Sequence, residues 1–302
     1  MKKKVAVLIA SYNGEKYIKE QINSILRQDD KYEIEILIRD DGSTDATIDV
    51  IKQIGKKNIK LYQDGTKKGA PMSFYDLILK SPDADFYAFA DQDDVWKPTK
   101  LNASIQQLSK SGDKIAIYGS SFDVVDSDLH FIKKEKTKNS RYYTLGRTLI
   151  KDCFPGCTMV FNRALRDKLK EHVPKYIRMH DYYTMMVAEA FHGDIYCDEE
   201  SQILYRQHGN NTVGFNHTLF ERFKRYLRLA TTSKNERQRQ SNSLLECYYN
   251  ELPNDSKDIL FSIRDYKKSI NNKLKLINDK RMIPEGNFVK ILFYISVLTG
   301  TF

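Results

Sequence analysis

Over its first 110 residues the chain alternates short, unbroken apolar runs with longer stretches in which apolar residues recur every three or four positions. The runs at 5–10, 34–38, 59–62 and 86–90 read as strands buried on both faces. Between them, 15–28 reads as a helix with Tyr17, Ile18, Ile22, Ile25 and Leu26 on one face. Ile48, Ile51 and Ile54 mark a second helix ending near Gly55, and 74–79 lies in a third behind Pro71. A fourth helix starts at Pro98, a residue suited to the first helical position, and runs to Leu108. Four such alternations build a parallel sheet with helices on both faces. Ligands of open sheets gather at the carboxyl ends of the strands. The three unusual turns, at 11–14, 40–45 and 91–94, all fall at such ends.

The pattern is less regular afterwards. Strands are expected at 115–118 and 158–161, helices at 164–171 and from Met179 to Ala190, and a pair of strands at 195–197 and 203–205. The polar, Lys-rich stretch 126–147 reads as a surface loop. A helix at 219–229 sets Phe220, Phe223, Tyr226 and Leu227 against Arg222, Lys224, Arg225 and Arg228. Beyond Thr231 the chain is polar and helical until an apolar tail at 291–298, too short to span a bilayer.

Composition narrows the picture. A chain of 302 residues with 41% hydrophobic content, 15 Phe and 19 Tyr has material for a large core, which excludes a disordered protein. The net charge of +9 calls for an anionic partner such as a nucleotide or a membrane surface. Cys153, Cys157, Cys197 and Cys247 lack metal-binding spacing and suit a reducing, cytoplasmic setting.

Chemistry concentrates at Asp91, Asp93 and Asp94. Carboxylates this close repel one another unless a cation lies between them. Hard divalent ions prefer oxygen ligands and keep substrate phosphates in their shell. A lone Asp-x-Asp is more often a solvated turn; two other turns on the same rim shift the reading toward a metal–diphosphate site. On the residues alone Asp40 is as good a turn cap as a ligand, Asp41 and Asp45 are turn residues, and Trp96 is a core residue.

Taken together, Ala-Ser-Tyr-Asn-Gly-Glu at 10–15, Arg-Asp-Asp-Gly-Ser-Thr-Asp at 39–45, Ala-Asp-Gln-Asp-Asp-Val-Trp at 90–96, His-Asp at 180–181 and Tyr-Arg-Gln-His at 205–208 resemble, in order and spacing, family 2 glycosyltransferases of the GT-A fold. Among these they most resemble bacterial polysaccharide rhamnosyltransferases. The likeness covers about residues 4–215. It implies an α/β domain over 1–215, with a mainly parallel central sheet flanked by helices, and a helical C-terminal region over 216–302. It further implies an inverting transferase that moves one sugar, L-rhamnose from dTDP-L-rhamnose or another sugar from a UDP donor, onto a saccharide acceptor that can be lipid-linked. Asp40 would bond the nucleotide base, with Ala10 and Tyr12 as the pocket wall. Asp91 would contact the ribose side, and Asp93 would bind Mg²⁺ or Mn²⁺. Asp181 would be the general base, and His208 would close over the diphosphate or metal. Ser73 departs from the family pattern, which often has Asn there. The Gln-x-x-Arg-Trp motif of processive synthases is absent, which favours single addition.

Two other classes compete. A nucleotidyltransferase or metal phosphohydrolase would use the same acidic turn, but the Gly-rich phosphate loop expected of it is missing. A non-enzymatic polyanion binder would use the +9 charge, but the acidic rim opposes it. No nucleic-acid partner is expected. The basic helix and apolar tail fit either peripheral contact with anionic lipid or packing on the core or on another subunit.

Overall fold

A computed structural model describes residues 2–150, 153–208, 235–284 and 286–302. The helix expected at 219–229 lies outside the described residues.

The first half follows its pattern. Strand β1 (Lys3–Ser11) leads into α1 (Ile18–Leu26), β2 (Tyr32–Asp40) into α2 (Thr47–Ile54), and β3 (Ile59–Tyr62) into α3 (Gly69–Lys80). Strand β4 (Phe86–Ala90) is followed by the two-residue β5 (Val95–Trp96) and by α4 (Lys100–Leu108). That last helix begins two residues later than Pro98, with Thr99 at its N-cap position. Alternate residues of β1 go to different cores. Val5, Val7 and Ile9 pack with Ile22, Ile25 and Ile105 on one face of the sheet, while Ala6 and Leu8 pack with Phe74, Phe89 and Met185 on the other. Burial on both faces is what turns this strand into an unbroken apolar run.

The second half contains β6 (Ala116–Val125), β7 (Phe131–Glu135), α5 (Leu145–Ile150), β8 (Val160–Asn162), α6 (Arg163–Glu171), α7 (His180–Ala190) and β9 (Asp194–Arg206). The expected loop at 126–147 is therefore a hairpin strand followed by a chain that enters α5. Its two apolar residues, Phe131 and Ile132, are adjacent and both exposed, and Lys133 and Lys134 follow, so no alternating apolar face marks this edge strand. The expected strand pair is a single strand. Its register against β6 jumps from Ser120–Asp198 to Ser121–Ser201, so Glu199 and Glu200 bulge out and interrupt the apolar pattern.

Together these strands form a nine-stranded sheet in the order β3-β2-β1-β4-β8-β6-β9-β5, with β7 on β6. Strands β1, β2, β3, β4, β6 and β9 point one way, and β5, β7 and β8 run against them. Helices α8 (Glu236–Tyr248), α9 (Asn254–Asp265), α10 (Ile270–Asn278) and α11 (Asn287–Thr299) complete the described chain. Leu244, Tyr248, Leu260, Met282 and Phe293 join the same core cluster as Leu8 and Phe89. No described helix is long and apolar enough to cross a membrane.

Candidate active site

The register of the sheet assembles the rim. Ser11 pairs with Asp40, and Ile9 with Ala90, so the chain leaves β2 and β4 on either side of Ala10–Ser11. The starts of the Asp40 and Asp91 turns are thus about 10 Å apart, two strand spacings across β1.

The first two turns lock into each other. Asn13, at φ 48°, receives the Thr44 N–H on its Oδ1 at 2.8 Å and donates its own N–H to Ser43 Oγ at 2.9 Å. Glu15 N–H bonds Asp45 Oδ2 at 3.1 Å, and Ala46 N–H returns a bond to Glu15 Oε2 at 2.7 Å. Gln92 reaches from the third turn and clamps the Tyr12 backbone with two bonds of 3.0 Å. A Cβ at Gly14 would lie 2.2 Å from Gln92 Oε1, so a larger residue there would push this clamp aside. Tyr12 itself is half exposed, with the Lys67 ammonium 4.9 Å above its ring.

Asp40 is buried and saturated. Its Oδ1 accepts from the Ser11 and Ser43 hydroxyls at 3.1 and 2.5 Å, and its Oδ2 from the Gly42 and Ser43 N–H groups at 3.0 and 2.8 Å. Asp41 accepts from the buried Arg39 at 2.8 Å, from the Lys68 and Gly69 N–H groups at 2.7 and 2.9 Å, and from Ser73 Oγ at 3.0 Å. Burial alone would raise the Asp41 carboxyl, yet these donors hold it below the usual carboxylate range. Asp45, donated to by Glu15 and Thr47, is held low in the same way against a smaller burial effect. Asp41 and Asp45 are therefore turn residues, as read from sequence, and the unusual Ser73 serves to hold Asp41.

The acidic turn is the opposite case. Burial, then the charges of Asp93 and Asp181, push Asp91 up to about 7. Asp94 is almost fully buried. Its Oδ1 accepts the Arg206 N–H at 3.1 Å, and its Oδ2 has no close hydrogen-bond partner among the described residues. Burial with the Asp93 and Asp91 charges raises it well above its ordinary value, against a smaller lowering by the Arg206 N–H and the Cys157 thiol. The Cys157 thiol faces both, with one ligand atom from each of Asp91, Asp94 and Cys157 lying within 4.8 Å of the others. Beneath them the buried Lys100 donates to the Cys157 carbonyl at 2.8 Å and is pushed down to about 8 by burial. Asp93 Oδ2 lies 2.8 Å from His208 Nε2, and the His208 ring stacks on Tyr17 at 5.0 Å. Arg206 braces the turn by donating Nε–H to the Asp93 carbonyl at 2.8 Å and ion-pairing with Glu20.

Asp181 arrives from far along the chain. It is the second residue of α7, whose N-cap is Met179, and its Oδ1 accepts the Tyr182 N–H at 2.8 Å. A helix terminus favours the anion, but burial outweighs it and lifts Asp181 to about 6. The neighbouring His180 is sandwiched against Phe74 at 3.8 Å, and burial drives it down to about 3, so it is neutral. Gly156 packs on this pair: a Cβ there would lie 2.5 Å from His180 Nε2.

The predicted residues thus converge, with Ala10, Tyr12, Asp40, Asp91, Asp93 and His208 at the rim and the Asp181 charge felt at Asp91. Sequence reading gave no role to Gln92, Lys100, Cys157 or Arg206. Gln92 and Arg206 stood inside recognised phrases, whereas nothing local marks Lys100 or Cys157. Trp96 is buried under Lys100, as its core reading requires.

Comparison with known proteins agrees with this architecture. Residues 1–349 of Staphylococcus aureus TarS superpose with a TM-score of 0.60 at 18% identity, covering 99% of this chain and 80% of that one. Pyrobaculum calidifontis mannosyltransferase PcManGT, solved with GDP-Man and Mn²⁺, gives 0.54 at 16% identity over 99% of this chain and 75% of its own. The fold is that of the GT-A glycosyltransferases. Residues 6–169 match the family model "Glycosyl transferase family 2", and the chain belongs to that family. The dTDP-rhamnosyl transferase RfbG of Shigella flexneri is 30% identical over 235 residues, 72% of this chain and 77% of that protein. The Staphylococcus aureus poly(ribitol-phosphate) beta-N-acetylglucosaminyltransferase TarS is 39% identical over 93 residues, 30% of this chain and 16% of its own.

Proposed function

We propose that the protein is an inverting, metal-dependent glycosyltransferase that moves one L-rhamnose from dTDP-L-rhamnose to a saccharide acceptor in cell-surface polysaccharide synthesis, working on the cytoplasmic side. The observation that carries this reading is the pairing of an acidic turn short of donors with a proton-attracting Asp181 on one rim. The similarity to a rhamnosyl transferase over 72% of the chain favours the donor.

The donor set fits a hard divalent ion. The turn is rich in carboxylate oxygen, and Asp94 Oδ2 lies buried with no close hydrogen-bond partner among the described residues. Asp93 and His208 would hold Mg²⁺ or Mn²⁺, which supplies Lewis-acid stabilisation of the departing diphosphate. Ala10 and Tyr12 wall the base, and Asp91 faces the ribose. Asp40 contributes a pocket edge already shaped by four internal bonds, so a pyrimidine N3–H would share an oxygen with the turn's own donors. Asp181 takes the proton of the acceptor hydroxyl as that oxygen bonds to the anomeric carbon. The bond from that carbon to the diphosphate breaks with its electron pair on phosphate. A single displacement inverts the centre.

A UDP-sugar donor is the second reading, favoured by the match to an N-acetylglucosaminyltransferase and by the likeness to TarS solved with UDP-GlcNAc. A donor screen with purified protein, Mn²⁺ and an oligosaccharide acceptor decides between them. The expected result is release of dTDP from dTDP-L-rhamnose in step with a new glycoside. Turnover of UDP-sugars alone selects the second reading, and release of pyrophosphate or monophosphate overturns both.

A further inference from the structure

Helix α11 is amphipathic in an unusual sense. Phe293 and Val297 are buried in the core, and its C-terminal end is tied down by the Tyr266 hydroxyl, which donates to the Phe302 carbonyl at 2.8 Å. On the other side Phe288, Ile291, Ile295 and Leu298 are 59%, 55%, 51% and 46% exposed. At about 100° per residue these four lie within roughly 80° of arc, opposite Phe293 and Val297. Ile270 and Leu274 of the adjoining α10 are also exposed, and Lys273 of that helix donates to the Leu298 carbonyl at 2.7 Å. Scattered single apolar residues need no explanation, but a continuous apolar helix face does.

Charge identifies its occupant. Residues 266–302 hold seven Lys and Arg against two Asp and Glu, a net of +5 out of the chain's +9. Lys275, exposed on α10, and Lys290, on α11 itself, belong to this set. A second copy would bring the same positive field to the contact and be repelled. A surface of acidic headgroups over hydrocarbon satisfies both features, since basic side chains lie at headgroup level while the apolar face sinks below it.

We propose that the exposed apolar face of α11, in this net-positive C-terminal region, docks the protein onto an anionic lipid bilayer. The contact is peripheral, since no described helix can span. It is separate from the transfer site and does not depend on the donor reading.

The test is sedimentation of the full chain with vesicles of phosphatidylcholine alone or with 30 mol% phosphatidylglycerol, at 50 and 500 mM NaCl. The protein is expected to pellet with the anionic vesicles at low salt and to be released at high salt. Two double variants on this surface probe the two features. Ile291→Ser with Ile295→Ser should weaken binding more than tenfold. Lys275→Glu with Lys290→Glu should weaken it by at least about 30-fold, counting roughly fivefold for each cation removed. Both should keep the parental melting temperature and nucleotide affinity. Failure to pellet at low salt, or equal pelleting of parent and variants, overturns the proposal. A solution dimer that the isoleucine variant splits into monomers assigns the face to a second copy instead. None of these readouts uses sugar transfer, so loss of the transferase reading would leave the lipid result standing.

Discussion

Two acidic turns stand on either side of β1, and they are opposites. The turn at Asp40–Asp45 surrounds each carboxylate with donors: two hydroxyls and two N–H groups on Asp40, and an arginine, two N–H groups and a hydroxyl on Asp41. At the turn Asp91–Asp94 the described residues give the buried Asp91 and Asp94 carboxyls few donors, so burial and the neighbouring acidic charges make them hold protons far more tightly than free carboxylates do. The same residue type at the same kind of strand end is therefore donor-bound scaffold in one place and, in the proposed function, the cation site in the other. What separates them is the supply of hydrogen-bond donors, because a buried anion must be solvated by something.

If this contrast is correct, substitution should hit activity at the second turn and stability at the first. The largest effect is expected at Asp93. Asp93→Ala should cut transfer about 10³-fold while melting stays near parental, and EDTA should silence the parent until Mn²⁺ or Mg²⁺ is restored. Full turnover in EDTA, with an active Asp93→Ala, would remove the metal from the reading.

Asp181→Asn comes next, with transfer falling ~10²-fold or more and donor affinity kept. Its pH behaviour sharpens the point. The base must be ionised to act, so parental turnover should rise with pH through about 6 and then level off, a limb the variant lacks. The folded carboxyl binds its proton more tightly than the unfolded one. Its contribution to stability is thus full below about 4 and lost as pH rises through about 6. Asp181→Asn should therefore melt higher than the parent at pH 7.5, by on the order of 1–3 kcal/mol, and match it near pH 4. Equal melting at both would mean that Asp181 sits in water.

Asp40→Ala tests the scaffold side. Leaving the Ser11, Gly42 and Ser43 donors without a buried acceptor should cost about 1–3 kcal/mol by denaturant titration. Calorimetry on the parent adds the base question: dTDP or UDP should bind more tightly than CDP, since cytosine has no N3–H to donate. Equal affinities would leave Asp40 as scaffold alone. The smallest effect is expected for Cys157→Ser. A hard ion prefers oxygen to thiol, so transfer supported by Mg²⁺ or Mn²⁺ should stay within about threefold. A loss of 100-fold would bring the sulfur into the site.

Much of this was legible beforehand where structure is local. The apolar runs of β1, β2 and β4 are unbroken because both sheet faces are covered, and the turns 11–14, 40–45 and 91–94 follow strands that end together. Legibility failed where the pattern was partial. Strand β7 lies on an exposed edge with no apolar stripe, and β9 hides as two fragments because Glu199 and Glu200 bulge from its register. At the site the carboxylates themselves were visible, but their differing states were not. Lys100 and Cys157 gave no signal, since a lysine on a helix and a cysteine after a Pro-Gly turn look ordinary until the fold buries them together.

The sequence by itself determined the alternation of strands and helices, the family phrases and the set of acidic residues on offer, because periodicity and turn chemistry act over a few residues. Only the tertiary structure decided which of those acids are solvated by the protein and which are not. It brought Asp181 close enough for its charge to reach Asp91, 90 positions earlier, and turned one face of α11 outward. Donor supply, burial and charge–charge distance are properties of the packed chain, set by contacts between segments far apart in sequence.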